Sequence, residues 1–172
     1  EAVVKELNGL TDRERTKKTV GIENRLFEFA NFLEAKIVLL YLGNHSEVDT
    51  GEILKRTYQY NKVVVLPDFH NAKGKARLYK VDDLKADLKP GPGGTLRPES
   101  SRCKQVPIER IDIAIIPSVA LDEKGGRLGT GAGRYDRLIP KLAITTRKVA
   151  LAMENQIIPQ VPMESHDKHV DI

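Results

Sequence analysis

Residues Ile111–Leu142 read IDIAIIPSVALDEKGGRLGTGAGRYDRLIPKL. The first six are a near-continuous run of β-branched and aliphatic side chains, the pattern of a strand covered on both faces. Tyr135, Leu138, Ile139 and Leu142 then recur at helical spacing, directly after Gly129, Gly131 and Gly133. A strand that leads through a connecting loop and glycines into a helix is the working unit of an open α/β sheet. In such sheets ligands collect beyond the carboxyl ends of the strands.

The same grammar extends outward. Three more apolar runs read as buried strands: KIVLLYL at Lys36–Leu42, KVVVLP at Lys62–Pro67 and KVALAM at Lys148–Met153. Between them, Ile22, Leu26, Phe29 and Leu33 form one apolar helical stripe, and Thr50–Tyr60 reads as a further helix. Strands alternating with helices predict an α/β fold, a three-layer sandwich around a mostly parallel sheet, as one domain spanning residues 1–172. ARLYKV, Ala76–Val81, alternates and is expected at a sheet edge. Leu88–Pro107 breaks all periodicity with prolines and glycines, and about 20 structureless residues inside a compact domain point to a functional loop or lid.

Composition narrows the classes. Of 172 residues, 40% are hydrophobic and 30% charged, as in ordinary soluble domains. No run approaches the ~20 apolar residues of a membrane helix, and no signal peptide is visible. With Cys103 as the one cysteine, in the polar stretch ESSRCKQ, no internal disulfide is possible and an incidental loop thiol is expected. We therefore expect a cytoplasmic protein with no membrane association. The net charge of +4 favours anionic partners. Because the cations are dispersed, nucleic acid is not expected, whereas small phosphorylated ligands are. A monomer is the expected state. The chain opens at Glu1 without methionine, so its natural start is expected upstream.

The glycines can take conformations closed to other residues and leave no Cβ in the way of a ligand. Their N–H groups can then converge on a phosphate, aided by the following helix start. Arg127 and Arg134 flank them and can supply charge, and Asp136 suits Mg²⁺ as an oxygen ligand. Spacing alone leaves a tight structural turn equally open, and Asp136 equally a helix-capping acid. Neither the P-loop spacing nor the dinucleotide fingerprint is present.

IIPSVALDEKGGRLGTGAGRYDR, Ile115–Arg137, resembles the signature of the 5-formyltetrahydrofolate cyclo-ligase family, the 5,10-methenyltetrahydrofolate synthetases. LTDRER (Leu10–Arg15), EVDT (Glu47–Thr50) and VPMESHD (Val161–Asp167) resemble further family elements in the family's order, so the likeness covers nearly the whole chain. The resemblance implies a ligase that turns 5-formyltetrahydrofolate into 5,10-methenyltetrahydrofolate with ATP as co-substrate, releasing ADP and phosphate. Its partners would be ATP and a reduced folate. It implies an ATP loop of Arg127, Leu128, Gly129, Thr130, Gly131, Ala132, Gly133, Arg134 and Tyr135, with Arg127 and Arg134 neutralising the transferred phosphoryl group. Mg²⁺ would be held by Asp136 and Asp167, and the folate would meet Glu47 and Leu42. Tyr135 is expected to pack under its helix. His166 and His169 look metal-like, but without further ligands they do not make a site.

The chain departs from the family pattern at four points: Leu121 for phenylalanine, Ser118 for glycine, Ala132 for lysine or glycine, and Arg97 for the glutamate before a proline. The family's N-terminal lysine and arginine would lie upstream of Glu1. If the family's glutamate meets the folate, Arg97→Glu should raise activity. A divergent paralogue that binds nucleotide or folate without turnover, as a regulatory or partner-binding module, is the rival expectation.

Overall fold

The structure, a computed structural model, describes residues 2–43, 47–69, 75–91, 95–129, 133–161 and 170–171. Thr130, Gly131, Ala132, His166, Asp167 and His169 lie outside the described residues.

Three helices open the chain: α1 (Ala2–Asn8), α2 (Asp12–Leu26) and α3 (Ala30–Glu34). Thr11 fixes the start of α2 through a reciprocal capping box. Its hydroxyl accepts from the Glu14 N–H at 3.1 Å, and the Glu14 carboxylate accepts from the Thr11 N–H at 2.8 Å. The single stripe expected from Ile22 to Leu33 is two helices. α2 ends at Leu26, Phe29 caps α3, and Phe27 and Phe32 fill the bend edge to face, their centroids 5.0 Å apart. Leu33, assigned to the stripe, is exposed.

The central sheet takes β1 (Ile37–Leu39), β2 (Val63–Asp68), β3 (Arg77–Lys80), β6 (Ile113–Ile116) and β9 (Arg147–Ala150) in the order β3-β2-β1-β6-β9. All neighbours are parallel except the antiparallel edge strand β3. α4 (Gly51–Gln59) crosses from β1 to β2. Alternate strand residues face opposite cores, as a two-residue period requires. Val38, Val64 and Ile113 pack with Leu7, Phe32 and Ile53 of the N-terminal helices and α4. Leu39, Val65 and Ala114 pack with Leu138, Ile139 and Leu142 on the other face. The expected three-layer α/β sandwich with a mostly parallel sheet is what the chain forms.

Two expectations are corrected locally. The helix after the glycines, α5, spans only Arg134–Leu138 and tightens into a 3₁₀ turn at Ile139–Lys141, because Pro140 has no N–H to continue the ladder. Leu88–Pro107 is not structureless. It contains an antiparallel hairpin of β4 (Leu88–Pro90) and β5 (Leu96–Pro98), and a bridge from Gln105 to Tyr79 that covers β3. Cys103 Sγ points at the Asp87 carbonyl at 3.5 Å, and burial raises its thiol pKa, which keeps it a thiol.

The chain runs from β1 through α4 to β2 on one side of β1. It then returns to place β6 on the other side and crosses the opposite face to β9. The direction of winding therefore reverses between β1 and β6. The crevice beyond their carboxyl ends is the topological switch point of the sheet, where such folds bind ligands.

Candidate active site

The loop leaving β1 carries Leu42 and Glu47 to that crevice. It is braced from within: the Tyr41 hydroxyl donates to the Val48 carbonyl at 3.0 Å, and the Thr50 hydroxyl donates to the Tyr41 carbonyl at 2.5 Å. Glu47 is thereby presented at a fixed place beside α4. Leu42, three residues past β1, is 38% exposed and so offers apolar surface on this loop.

From β6 the chain passes Pro117 and Ser118 into a small hairpin, β7 (Ala120–Leu121) and β8 (Arg127–Leu128), where the sequence suggested only a loop. Gln156 braces its base. It donates through Nε2 to the Ser118 and Val119 carbonyls at 2.9 and 3.2 Å, and accepts from the Met153 N–H at 2.8 Å. The hairpin delivers Arg127, Leu128 and Gly129 to the crevice, and α5 follows with Arg134, Tyr135 and Asp136.

Arg127 does not flank the loop as a solvent-exposed cation. It is 4% exposed, donates through Nε to the Pro117 carbonyl at 3.0 Å, and donates through Nη1 to Asp136 Oδ1 at 3.3 Å. The guanidinium also stands 5.8 Å from the centre of the Tyr135 ring. Two proposed site residues from different elements, one anion and one cation, are therefore coupled before any ligand arrives. The pairing also accounts for Gly129. A Cβ there would lie 2.8 Å from Arg127 Nη2, and that guanidinium is held by its bonds through Nε and Nη1, so it yields only at their expense. Gly133 is bare for a different reason: its φ of 66° lies in the left-handed region as the chain enters α5. Gly133→Ala is expected to cost about 1–2 kcal/mol and Gly133→Asn less, read as melting temperatures of the purified variants.

Tyr135 packs edge to face on Phe69, centroids 5.3 Å apart, and Arg134 lies 5.6 Å over the same Phe69 ring. Burial, then the nearby Glu47 carboxylate, pushes the Tyr135 phenol well above its ordinary range, against the pull of Arg127 and Arg134. Burial and Glu47 raise Tyr41 in the same way. Glu47 from the β1 loop thus lies within electrostatic reach of Tyr135 on α5. The crevice brings together the acid and the glycine-loop elements that the sequence placed about ninety residues apart. Neither phenol is a base at neutral pH, though each can donate a hydrogen bond.

Beside Arg134 opens a cavity of about 510 Å³ whose rim carries Lys75, Arg137 and Lys141 as well, against Glu109 alone. Its field favours anions. Phe69, Tyr41 and the Arg127–Asp136 pair went unnoticed in the sequence. For Phe69 there was a signal: it is the first residue past a buried parallel strand, a position that faces the ligand edge.

The sequence profile of the 5-formyltetrahydrofolate cyclo-ligase family matches residues 1–172. The chain belongs to that family. It is 26% identical to the mouse 5-formyltetrahydrofolate cyclo-ligase over 96% of this chain and 85% of the mouse protein. To the Escherichia coli K12 cyclo-ligase it is 26% identical over 92% of this chain and 87% of that protein. Among solved structures, the Aquifex aeolicus 5,10-methenyltetrahydrofolate synthetase superposes with a TM-score of 0.85 at 29% identity, covering 98% of this chain and 83% of that one. A Mycoplasma pneumoniae synthetase shares the fold at a TM-score of 0.74 and 18% identity, covering 98% and 91%. The chain is accordingly an enzyme of the ligase class, and the expectation of a non-catalytic paralogue gives way to it. Among the described residues no helix is long and apolar enough to cross a membrane.

Proposed function

We propose that this enzyme closes the 5-formyl group of 5-formyltetrahydrofolate onto N10 at the expense of ATP, releasing ADP and phosphate, in the crevice between β1 and β6. The observation that carries the reading is the convergence of Glu47 with Arg127, Arg134, Tyr135 and Asp136 at the sheet's switch point. In the reaction the formyl oxygen attacks the γ-phosphorus and ADP leaves. N10 then attacks the activated formyl carbon, the carbon–oxygen bond breaks to release phosphate, and the N10 proton leaves with the phosphate or to water. No protein nucleophile is needed, so the protein's task is to orient two ligands and balance charge.

Glu47 accepts hydrogen bonds from the folate, and Leu42 and Leu128, both about two-fifths exposed, give its ring apolar surface. Arg134 faces the phosphates as the exposed cation, and Arg127 holds Asp136 in place. The glycine-loop amides, including those of Thr130, Gly131 and Ala132, complete the ATP contact.

Asp136 fits a magnesium ion by the chemistry of its oxygens. Such an ion keeps most of its water and is held by one or two carboxylates together with substrate phosphates. Asp167 would be the second carboxylate. When bound, the ion supplies positive charge to the phosphate oxygens.

The test is the appearance of methenyltetrahydrofolate absorbance that requires both 5-formyltetrahydrofolate and MgATP. In the same assay Glu47→Gln is expected to raise the KM for the folate about tenfold or more, the size of a lost charge-assisted hydrogen bond of about 1.5–3 kcal/mol, with the KM for ATP unchanged. A wild-type protein without turnover sinks the reading. An unchanged folate KM in Glu47→Gln removes Glu47 from it.

A further inference from the structure

Arg97, a cation in the long loop before β6, has a partner in the structure. Arg97 lies in β5, whose hairpin packs against β2. Its Nη2 donates to Asp68 Oδ2 at 2.6 Å. Asp68 is the last residue of β2 and is buried, so the pair is charge-assisted and largely shielded from solvent. The other hairpin pairs are local: Lys89 to Glu99 at 3.4 Å, and Arg102 to Asp87 at 3.5 Å. Of the ion pairs between described residues, Arg97–Asp68 is the one that ties the hairpin to the central sheet. It does so beside Phe69, the ring on which Tyr135 and Arg134 pack. A glutamate at 97 would set two carboxylates against each other here. That reverses the expectation that Arg97→Glu raises activity.

We propose that Arg97 and Asp68 act as one unit, a latch that holds the β4–β5 hairpin across the carboxyl end of β2 and sets the affinity for the folate without touching it. Arg97 is then a positioning residue, its charge answered by the acid at 68. The inference rests on the cyclo-ligase reading for its kinetic arm and on the fold alone for its structural arm.

The test compares Arg97→Glu, Asp68→Arg and the double variant in the full chain. Each single reversal is expected to raise the folate KM about tenfold, equivalent to 1.4 kcal/mol. The values of kcat and the KM for ATP should stay within about threefold, and the double variant should return the folate KM to within about threefold of wild type, as coupled residues do. Hydrogen exchange at the amides of Gly91, Thr95 and Glu99 should rise in the singles and fall again in the double.

If exchange is restored in the double while the folate KM stays high, Arg97 contacts the substrate and the proposal is overturned. It is equally overturned if the singles lose melting temperature but keep wild-type KM values, which is a structural role only, or if Arg97→Glu gains activity. Should the reversals not fold, Arg97→Gln and Asp68→Asn carry the same comparison at reduced size. A wild-type enzyme without turnover would remove the cyclo-ligase reading, and the exchange data would still decide the latch.

Discussion

Asp136→Asn is expected to lower turnover by roughly 10²–10³-fold, the loss seen when one preorganised electrostatic contact to a developing charge is removed. Asparagine keeps the shape and one acceptor oxygen but gives up the negative charge, and that charge has two uses. The first is proposed: to hold the magnesium that balances the phosphates. The second is visible, because Asp136 Oδ1 is the counter-charge of the buried Arg127. The sequence alone, reading Asp136 as a metal ligand or a helix cap, leads to an unchanged melting temperature. The ion pair changes that expectation: the variant should also lose about 1–3 kcal/mol of stability, the cost of a buried group whose partner is weakened.

The two uses separate experimentally. Activity per folded molecule, titrated against Mg²⁺, should show a weakened metal dependence that higher Mg²⁺ partly restores. The stability loss without ligand should be indifferent to Mg²⁺. Wild-type turnover with a wild-type Mg²⁺ profile would mean that Asp136 serves Arg127 alone.

That example marks where the sequence stops being legible. The inner parallel strands can be read because a strand buried on both faces is apolar nearly throughout, and Val38, Val64 and Ile113 are all in the core. The edge strand β9 begins with the exposed Arg147 and is legible only from its second half. Helix extents were overread where an apolar residue fell at helical spacing for another reason. Phe29 is a cap, and Leu142 packs from a turn beyond Pro140. β7 and β8 are two residues each, too short for any periodicity. The glycine loop was recognisable as chemistry, yet the reason for Gly129 was hidden. It depends on a guanidinium that the hairpin folds back beside it, and an arginine in a sequence reads by default as a solvated cation. Arg97 was legible as a departure but not as half of a pair, since Asp68 is 29 residues away and only the β2–β5 packing brings them together. Glu47 and Leu42 are assigned through family likeness. The structure adds why their loop can hold them, in the Tyr41 and Thr50 braces.

Arg127→Lys is the sharpest test of how the site is built. Lysine keeps the charge, so a residue whose task is to offer a cation to phosphate would tolerate it with a modest rise in the KM for ATP. Arg127 is placed for something stricter. Its Nε reaches the Pro117 carbonyl while Nη1 reaches Asp136, two directions set by one rigid plane, and the plane lies beside the Tyr135 ring. An ammonium on a flexible stem cannot hold both acceptors in that geometry. Lysine therefore gives up at least one of the two contacts, at the end of β6 or on α5. The expected cost is about 3–5 kcal/mol, as for breaking a buried ion pair, or a fall of roughly 10 °C in melting temperature for a chain of this size.

Arg127→Met removes the charge as well, and with it the ion pair to Asp136, so it should be at least as unstable. The double variant Arg127→Met/Asp136→Leu should recover much of the stability, because replacing both partners of a buried pair by apolar groups costs little. It should recover none of the activity, because the carboxylate proposed for the metal is gone. Melting curves of the three variants, with the methenyltetrahydrofolate assay beside them, give the answer. If Arg127→Lys melts within 2 °C of wild type, a bound of about 1 kcal/mol, the arginine does not hold the hairpin to α5. Its burial beside Gly129 would then serve the ligand alone.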